Sequence, residues 1–440
     1  MIAACSTQGL STDYREICTG ERPTPTGQPG GRNTRKENFM KRAKTQSLLL
    51  VALILTGCNI FRAAPQATPS ALPLQDTTTP SATSTPSPVP PTNTPNPTST
   101  NTPIPVPLDY GPDNFPSDFN PLTGLPVNDA QHLERRPLAV KIQTFPRGQR
   151  PPWGASFADI VYDYYQNNGL TRLTAIFYSQ DVEQAGPVRS ARLFDGVITR
   201  MYKAIFAFGG GDRRILNRLF GSDYADRLVT EGNNNCPPIC RIDPDGFNYL
   251  MANTKELGPY VAGKGVEDGR QDLNGMTYQF SPPANGQAAK QVYTRYSISS
   301  YCRWDYDPAS GRYLRFQDTQ EDNGQGEAYE PLIDKLTEQQ IATDNVVILL
   351  VNHEFFFKSG NSEIIDILLT GGGEAYAFRD GQVYQVRWNR PELDAVLYLT
   401  YPDGTVFPYK QGTTWYQVVG MSSRVNQPEA GVWRFEFRIP

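Results

Sequence analysis

The folded part of this 440-residue chain is expected to be α/β (α+β) in its first portion and mainly antiparallel β in its second. Two patterns predict this. Between about Leu138 and Met251, strand-like alternation takes turns with helical spacing, the order that builds a layered α/β arrangement. Beyond about Pro283, apolar runs follow one another as strands, with Asp380-Gly381 and Asp403-Gly404 at the turns, and Asp-Gly between alternating runs is the strongest short hairpin signal. A third observation sets the limits of the fold: from Asn59 to Pro107 there are 13 prolines and only Arg62 and Asp76 carry charge, so this stretch cannot bury enough apolar surface to order itself.

Taken in order, residues 1–39 carry scattered charges, Cys5 and Cys18 without apolar periodicity, and read as an over-extended start or a cytoplasmic extension outside the fold. Residues 40–57 have the layout of a lipoprotein signal peptide. Met40, Lys41, Arg42 and Lys44 form the basic segment, Leu48 to Leu55 (LLLVALIL) the apolar core, and Leu55-Thr56-Gly57-Cys58 resembles the lipobox in which the Cys becomes the diacylated first residue. Cys58 is therefore the expected lipid attachment site, placing the protein on the outer face of a bacterial cell membrane. No apolar run reaches the roughly 18 residues of a spanning helix. Lipid chains contribute about 0.8 kcal/mol per buried CH₂, and two or more anchor stably. Residues 58–117 form a Thr/Pro/Ser-rich disordered spacer, biased toward extended polyproline II.

Residues 118–283 are expected as the α/β domain. Leu138 to Thr144 (LAVKIQT) alternates as a strand, Leu170 to Tyr178 is a second, and Lys203 to Phe208, stopped by three glycines, a third. Pro187 opens an expected helix in which Phe194, Val197, Ile198, Met201 and Ile205 recur at helical spacing. Asp212 is placed to cap a helix carrying Ile215, Leu216 and Leu219, and Phe247, Leu250 and Met251 mark another. Residues 284–440 are expected as the β-rich domain: a hairpin over Tyr306 to Phe316, a buried strand from Asn345 to Val351, paired strands from Tyr376 to Trp388, then Trp415 to Val419 and Trp433 to Ile439. GGGD (209–212) and GGG (371–373) read as turns, and Phe355 to Phe357 beside His353 as core or an inter-domain contact.

Removing the eight cationic and four acidic residues before Cys58 takes the formal charge from −4 to −8. A mildly acidic protein is a poor partner for nucleic acid.

The blocks NPLTGLPV (120–127), RRPLAVKI (135–142), ADIVYDYY (158–165), GLTRLTAIF (169–177) and GPVRSAR (186–192) resemble the first half of the YerB-like lipoproteins, a bacterial family of unknown function. YDPASGRYLRF (306–316), DNVVILLV (344–351), FRDGQVYQVRW (378–388) and GTTWYQVV (412–419) resemble its second half. The resemblance implies a lipid anchor, a spacer and a two-part domain, and supplies no reaction. Where the family pattern has a carboxylate and Gly-Gly before Thr-Arg, this chain has Asn167, Asn168 and Gly169, so any acid role in that turn passes to Asp163 or is absent.

The most suggestive group is Arg172 with Arg189, Ser190 and Arg192. Pro187 at a first helical turn would leave free backbone N–H groups beside two arginines, an anion site for phosphate or carboxylate. The bland alternative pairs these arginines with Asp159, Asp163 and Asp195 as scaffolding. Asp159 and Asp163 are weak candidates for acid and base work on a glycan. With only His132 and His353, and no HExxH, GxSxG or GxxxxGKS motif, neither a metal nor a cofactor is expected. In an exported protein Cys236, Cys240 and Cys302 point to a disulfide, with Cys236 to Cys240 the nearest pair and Cys302 the alternative partner. Two functional classes follow: a non-catalytic envelope protein binding a cell-wall polymer or a wall-acting protein through the arginines, or an envelope transferase or hydrolase acting on a phosphate-linked or glycan substrate.

Overall fold

A computed structural model describes residues 109–439 apart from 233–234 and 244–248. The leader, Cys58, the spacer up to residue 108, and Phe247 lie outside the described residues. The described residues belong to one compact unit. Among the described residues no helix is long and apolar enough to cross a membrane.

The first part of the chain supplies β1 (Leu138–Ile142), β2 (Ile160–Asn167), β3 (Leu170–Phe177), α1 (Leu193–Met201), β4 (Ile205–Phe208), α2 (Arg213–Phe220), β5 (Leu228–Thr230) and α3 (Thr254–Ala262). The second part supplies β6 (Gln287–Arg295), β7 (Tyr301–Asp307), β8 (Arg312–Asp318), β9 (Asn345–Val351), β10 (His353–Ser359), β11 (Ser362–Ile367), β12 (Gly371–Arg379), β13 (Gln382–Arg390), β14 (Tyr398–Thr400), β15 (Thr414–Gly420), β16 (Arg424–Glu429) and β17 (Gly431–Glu436). The α/β-then-antiparallel-β character expected from the patterning is present.

One long mixed sheet runs β14-β13-β12-β9-β15-β2-β3-β1-β4-β5. β15 pairs in parallel with both β9 and β2, so sequence from either side of residue 283 shares this sheet. A second sheet, β16-β17-β6-β7-β8, joins it where Gln287 and Ala288 pair with β13. β9 is buried along all seven residues, as its unbroken apolar run requires for a strand covered on both faces.

On one face of the long sheet α1 packs through Phe194, whose ring meets Tyr162 and Tyr164 at 6.1 and 4.8 Å. The opposite face of β2 and β15 meets the second sheet. There Arg315 donates to Asp163 at 2.6 Å and its guanidinium lies 4.9 and 5.0 Å from the indoles of Trp304 and Trp415. α2 buries Ile215 and Leu219, four residues apart on one stripe, and Asp212 caps it by accepting from Arg214 N at 2.9 Å.

Four local expectations are corrected. The helix expected from Pro187 starts at Leu193, because residues 185–190 are extended: Val188 bridges Ile142, Gly186 bridges Trp153, and the Pro187 carbonyl accepts from Gln143 N at 3.1 Å. Ile205 accordingly opens β4 and is not helical. Leu250 and Met251 lie on a short strand, Leu250–Ala252, paired with Ile239–Arg241, and the helix follows at Thr254, capped by Asn253. Gly371 to Gly373 are strand rather than turn, and a Cβ on Gly373 would meet the Trp388 indole at 2.5 Å, so the pairing needs glycine there. Phe355 and Phe356 are not core: they are 37% and 49% exposed on the separate β10–β11 hairpin.

Candidate anion-binding site

β1, β2, β4, β5, β9 and β15 all run in one direction, so their carboxyl ends share one edge, the usual ligand side of an α/β sheet. β3 runs the other way, which brings Arg172, near its start, to the same edge. Residues opposite each other across a pleated pair share a face. Lys141 stands opposite Thr174, and Tyr164 opposite Arg172, beneath α1.

The centre is Asp195 in the first turn of α1, fully buried. Its Oδ1 accepts from Tyr164 Oη at 2.5 Å, Thr174 Oγ1 at 2.6 Å and Lys141 Nζ at 3.1 Å, and its Oδ2 accepts from the Arg192 backbone N–H at 2.6 Å. Lys141 also donates to the Tyr164 hydroxyl. The Arg192 N–H at the observed start of α1 is thus taken by a side chain of the same helix, and the Pro187-based part of the anticipated site is absent.

The arginines around this centre are not neutralised one by one. Arg172 Nη1 donates to the Ser190 carbonyl at 2.8 Å, and its Nε is buried without a partner. Arg192 donates from Nη1 to the Ala191 carbonyl and from Nη2 to Gln166 Oε1, both at 2.9 Å. Among the described residues, neither guanidinium has a carboxylate oxygen within ion-pair distance. Three cations, Lys141, Arg172 and Arg192, therefore gather about Asp195, with Asp212 acting on Arg192 from the margin.

Electrostatics reflect that excess. Burial pushes the Lys141 ammonium down to about 7; Asp195 opposes this, and Arg172 and Arg192 add to it. Arg172 is pushed down to about 9 by burial, then by Arg192 and Arg189, and Arg192 is lowered chiefly by burial. Tyr164 is raised well above 10 by burial and by Asp195, so it stays a neutral donor.

Arg189 lies at the margin. Its N–H donates to the Lys141 carbonyl at 3.0 Å and its carbonyl accepts from Gly209 N at 2.9 Å, while burial and then Arg241 lower its pKa. Ser190 contributes the carbonyl that holds Arg172. The Gly209–Gly211 loop runs past the cluster: Ala191 N donates to the Gly210 carbonyl at 2.8 Å, and Gly210, at φ +101°, has open space where a side chain would be. The β10–β11 hairpin packs beside it. Glu363 accepts from Tyr165 Oη and Asn168 N at 2.5 Å, Asp366 pairs with Arg218 at 2.6 Å, and the Phe357 ring lies 3.6 Å from the Arg214 guanidinium.

Asp159 and Asp163 are not brought together with the arginines. Asp159 just precedes β2, where it accepts from Tyr178 N and Ser179 N at 2.6 and 2.9 Å and from Ser179 Oγ at 2.5 Å; burial raises its pKa. Asp163 faces the second sheet and Arg315, on the side of β2 opposite Tyr164. Four residues along a strand separate the two carboxylates by about 13 Å at 3.3 Å per residue. Asp195 binds Lys141, a partner that sequence reasoning overlooked together with Tyr164, Gln166 and Thr174. The signal for Lys141 was available: it is a charged residue inside the otherwise apolar alternation of a strand buried along its whole length.

Cys236 and Cys240 form a disulfide, which decides the pairing left open by the sequence. Cys302 is free and buried, its thiol pushed up to about 12 by burial. Among the described residues no group of three or more His, Cys, Asp or Glu is arranged to hold a metal ion.

Comparison with known proteins places this edge in context. The model of the N-terminal domain of a protein family of unknown function, DUF3048, matches residues 122–267, and the model of its C-terminal domain matches residues 292–416. YerB of Bacillus subtilis (strain 168), a protein that bears the name of a lipoprotein, is 27% identical over 310 residues, covering 68% of this chain and 85% of that one. The crystal structure of the Bacillus subtilis YerB protein superposes with a TM-score of 0.56 at 25% identity, over 68% of this chain and 96% of that one.

Proposed function

The chain belongs to the DUF3048 family, in which YerB bears a lipoprotein's name, and from that premise we propose that it is a lipid-anchored envelope protein that binds an anionic cell-wall ligand without turning it over. The anchor in this reading is Cys58, and the spacer, at about 3.1 Å per extended residue, lets the folded part work on the order of 150 Å from the outer face of the membrane. A wall polymer bearing phosphate or carboxylate, or a wall-acting protein presenting one, is the ligand class.

One observation carries the reading: at the carboxyl edge of the sheet a buried ammonium held by Asp195 stands beside two half-buried guanidiniums that have no carboxylate within ion-pair distance among the described residues. Burying uncompensated charge is costly, and an incoming anion relieves that cost through charge-assisted hydrogen bonds. Binding without catalysis is favoured because Asp159 and Asp163 are each engaged elsewhere, leaving the arginines no acid and base pair.

The test is calorimetric titration of the full chain in detergent micelles with sulfate and with isolated anionic wall polymer. Each charge-assisted bond contributes about 1.5–3 kcal/mol, so Arg172→Gln and Arg192→Gln should each weaken binding by about tenfold or more while circular dichroism stays unchanged. Equal affinity for wild type and folded variants removes the site. The anchor is tested separately by intact mass after membrane extraction, where a chain starting before Cys58 refutes lipidation.

A further inference from the structure

The anion-site reading leaves open why a lysine, rather than a third arginine, stands behind the guanidiniums. Lys141 is fully buried, and every polar group that faces it comes from a packed neighbour: Tyr164 from β2, Thr174 and Arg172 from β3, Arg192 and Asp195 from α1. The Tyr164 and Thr174 hydroxyl oxygens accept from Lys141 while their hydrogens go to Asp195, so an ammonium and a neutral amine, which keeps two N–H donors, both find acceptors there. Both protonation states of Lys141 therefore keep hydrogen-bond partners. The guanidiniums beside it cannot be discharged at physiological pH in the same way.

Resting on the anion-site reading, we propose that Lys141 is a proton-operated switch that sets the affinity of the site for its anion. When Lys141 is protonated, three cations face Asp195, the carboxylate hydrogen-bonded within the cluster, and within that set two positive charges are in excess. When the ammonium gives its proton to water, one excess positive charge remains, while Asp195 still accepts from Tyr164, Thr174 and the Arg192 N–H. The ligand would then be held at mildly acidic pH and released as the pH rises. The downward push on the Lys141 ammonium, to about 7, puts that change within the range an envelope protein meets.

Arg172, at about 9, lies above the midpoint of this window, and the remaining groups near the cluster do not change charge in it. Tyr164 remains neutral, the Asp212 carboxylate beside Arg192 is held down near 2 by Arg214, and His353, pushed down to about 4, is neutral throughout. His132 pairs with Asp181 near Arg135, away from these strands.

The experiment measures the dissociation constant of sulfate, which stays a dianion throughout, for the full chain in micelles from pH 5.5 to 8.5. Wild type should weaken by about tenfold or more across the range, as loss of a buried positive charge near the ligand requires. Lys141→Arg should bind as wild type does at pH 5.5 and show no pH dependence. Lys141→Met should be equally flat at the weak limit. Should the methionine variant not fold, the wild-type lysine Nζ signals in a nitrogen-detected NMR titration take its place, and one lysine must titrate near neutrality. A wild-type affinity that is constant with pH overturns the switch and leaves the anion site standing. Absence of sulfate binding even at pH 5.5 overturns the anion site and the switch with it.

Discussion

Replacing Asp195 by Asn tests the centre of the cluster most directly. The side chain keeps its shape, but one carboxylate that accepts from Lys141, Tyr164, Thr174 and the Arg192 N–H becomes an amide with one oxygen and one NH₂. Whichever way the amide turns, its NH₂ faces a donor, either the Arg192 N–H or the ammonium beside Oδ1. The charge loss also leaves the buried Lys141 ammonium without its ion-pair partner and removes the carboxylate nearest Arg172 and Arg192. Removing one partner of a buried ion pair costs about 3–5 kcal/mol. That full loss is expected at pH 6, where Lys141 is charged in the wild type. At pH 9 Lys141 has shed most of its proton and its charge no longer needs Asp195, so the penalty falls toward the about 1–3 kcal/mol of an unsatisfied buried donor. Urea unfolding of both proteins at the two pH values measures this, provided the slope against denaturant is unchanged. A loss below about 1 kcal/mol at pH 6, or the same loss at both pH values, would refute the view that Asp195 is the main compensation for the buried Lys141 charge.

Other expectations concern the frame that holds the site. Asp163→Ala should destabilise by about 3–5 kcal/mol, because it strands the Arg315 guanidinium between two sheets, whereas Asp163→Leu with Arg315→Met should recover most of that in a double-mutant cycle; additive single losses would argue against a direct pair. His353, pushed from 6.5 down to about 4 by burial, binds its proton more readily in the unfolded chain. Stability should therefore fall by up to about 3 kcal/mol as the pH drops from 6.5 to 4, and His353→Leu should remove that part of the slope in acid unfolding curves. Arg218→Ala should change stability by less than about 1 kcal/mol, since the Arg218–Asp366 pair that ties α2 to the hairpin is solvent-exposed on the arginine side; a larger loss in thermal unfolding would mean the hairpin is clamped by that pair.

Much of the architecture was legible in the chain because period and turn chemistry are local. The β7–β8 hairpin across DPASG, the buried run of β9, the β12–β13 hairpin at Asp380-Gly381 and the Asp212 cap each rest on residues within a few positions of one another. The arginine cluster was legible only in part. Arg172 and Arg192 do lie near enough to act on each other's charge, but the expected helix start at Pro187 failed because Val188 and Gly186 are claimed by bridges to Ile142 and Trp153, partners more than 30 residues away in sequence.

The sequence by itself determined the change from α/β to β patterning and the family, since these depend on composition, order and short-range periodicity. Only the tertiary structure decided which charges share a site. A strand alternates its side chains between two faces, so adjacent positions are sent to different surroundings: Tyr164 to the charged cluster under α1, and its neighbour Asp163 to Arg315 in the second sheet. β15 likewise arrives from the far end of the chain to pair with β2, and no short-range pattern encodes that pairing. Lys141 acquires its role from the low-polarity space closed by three separate elements, and burial of that kind is a property of the assembled molecule.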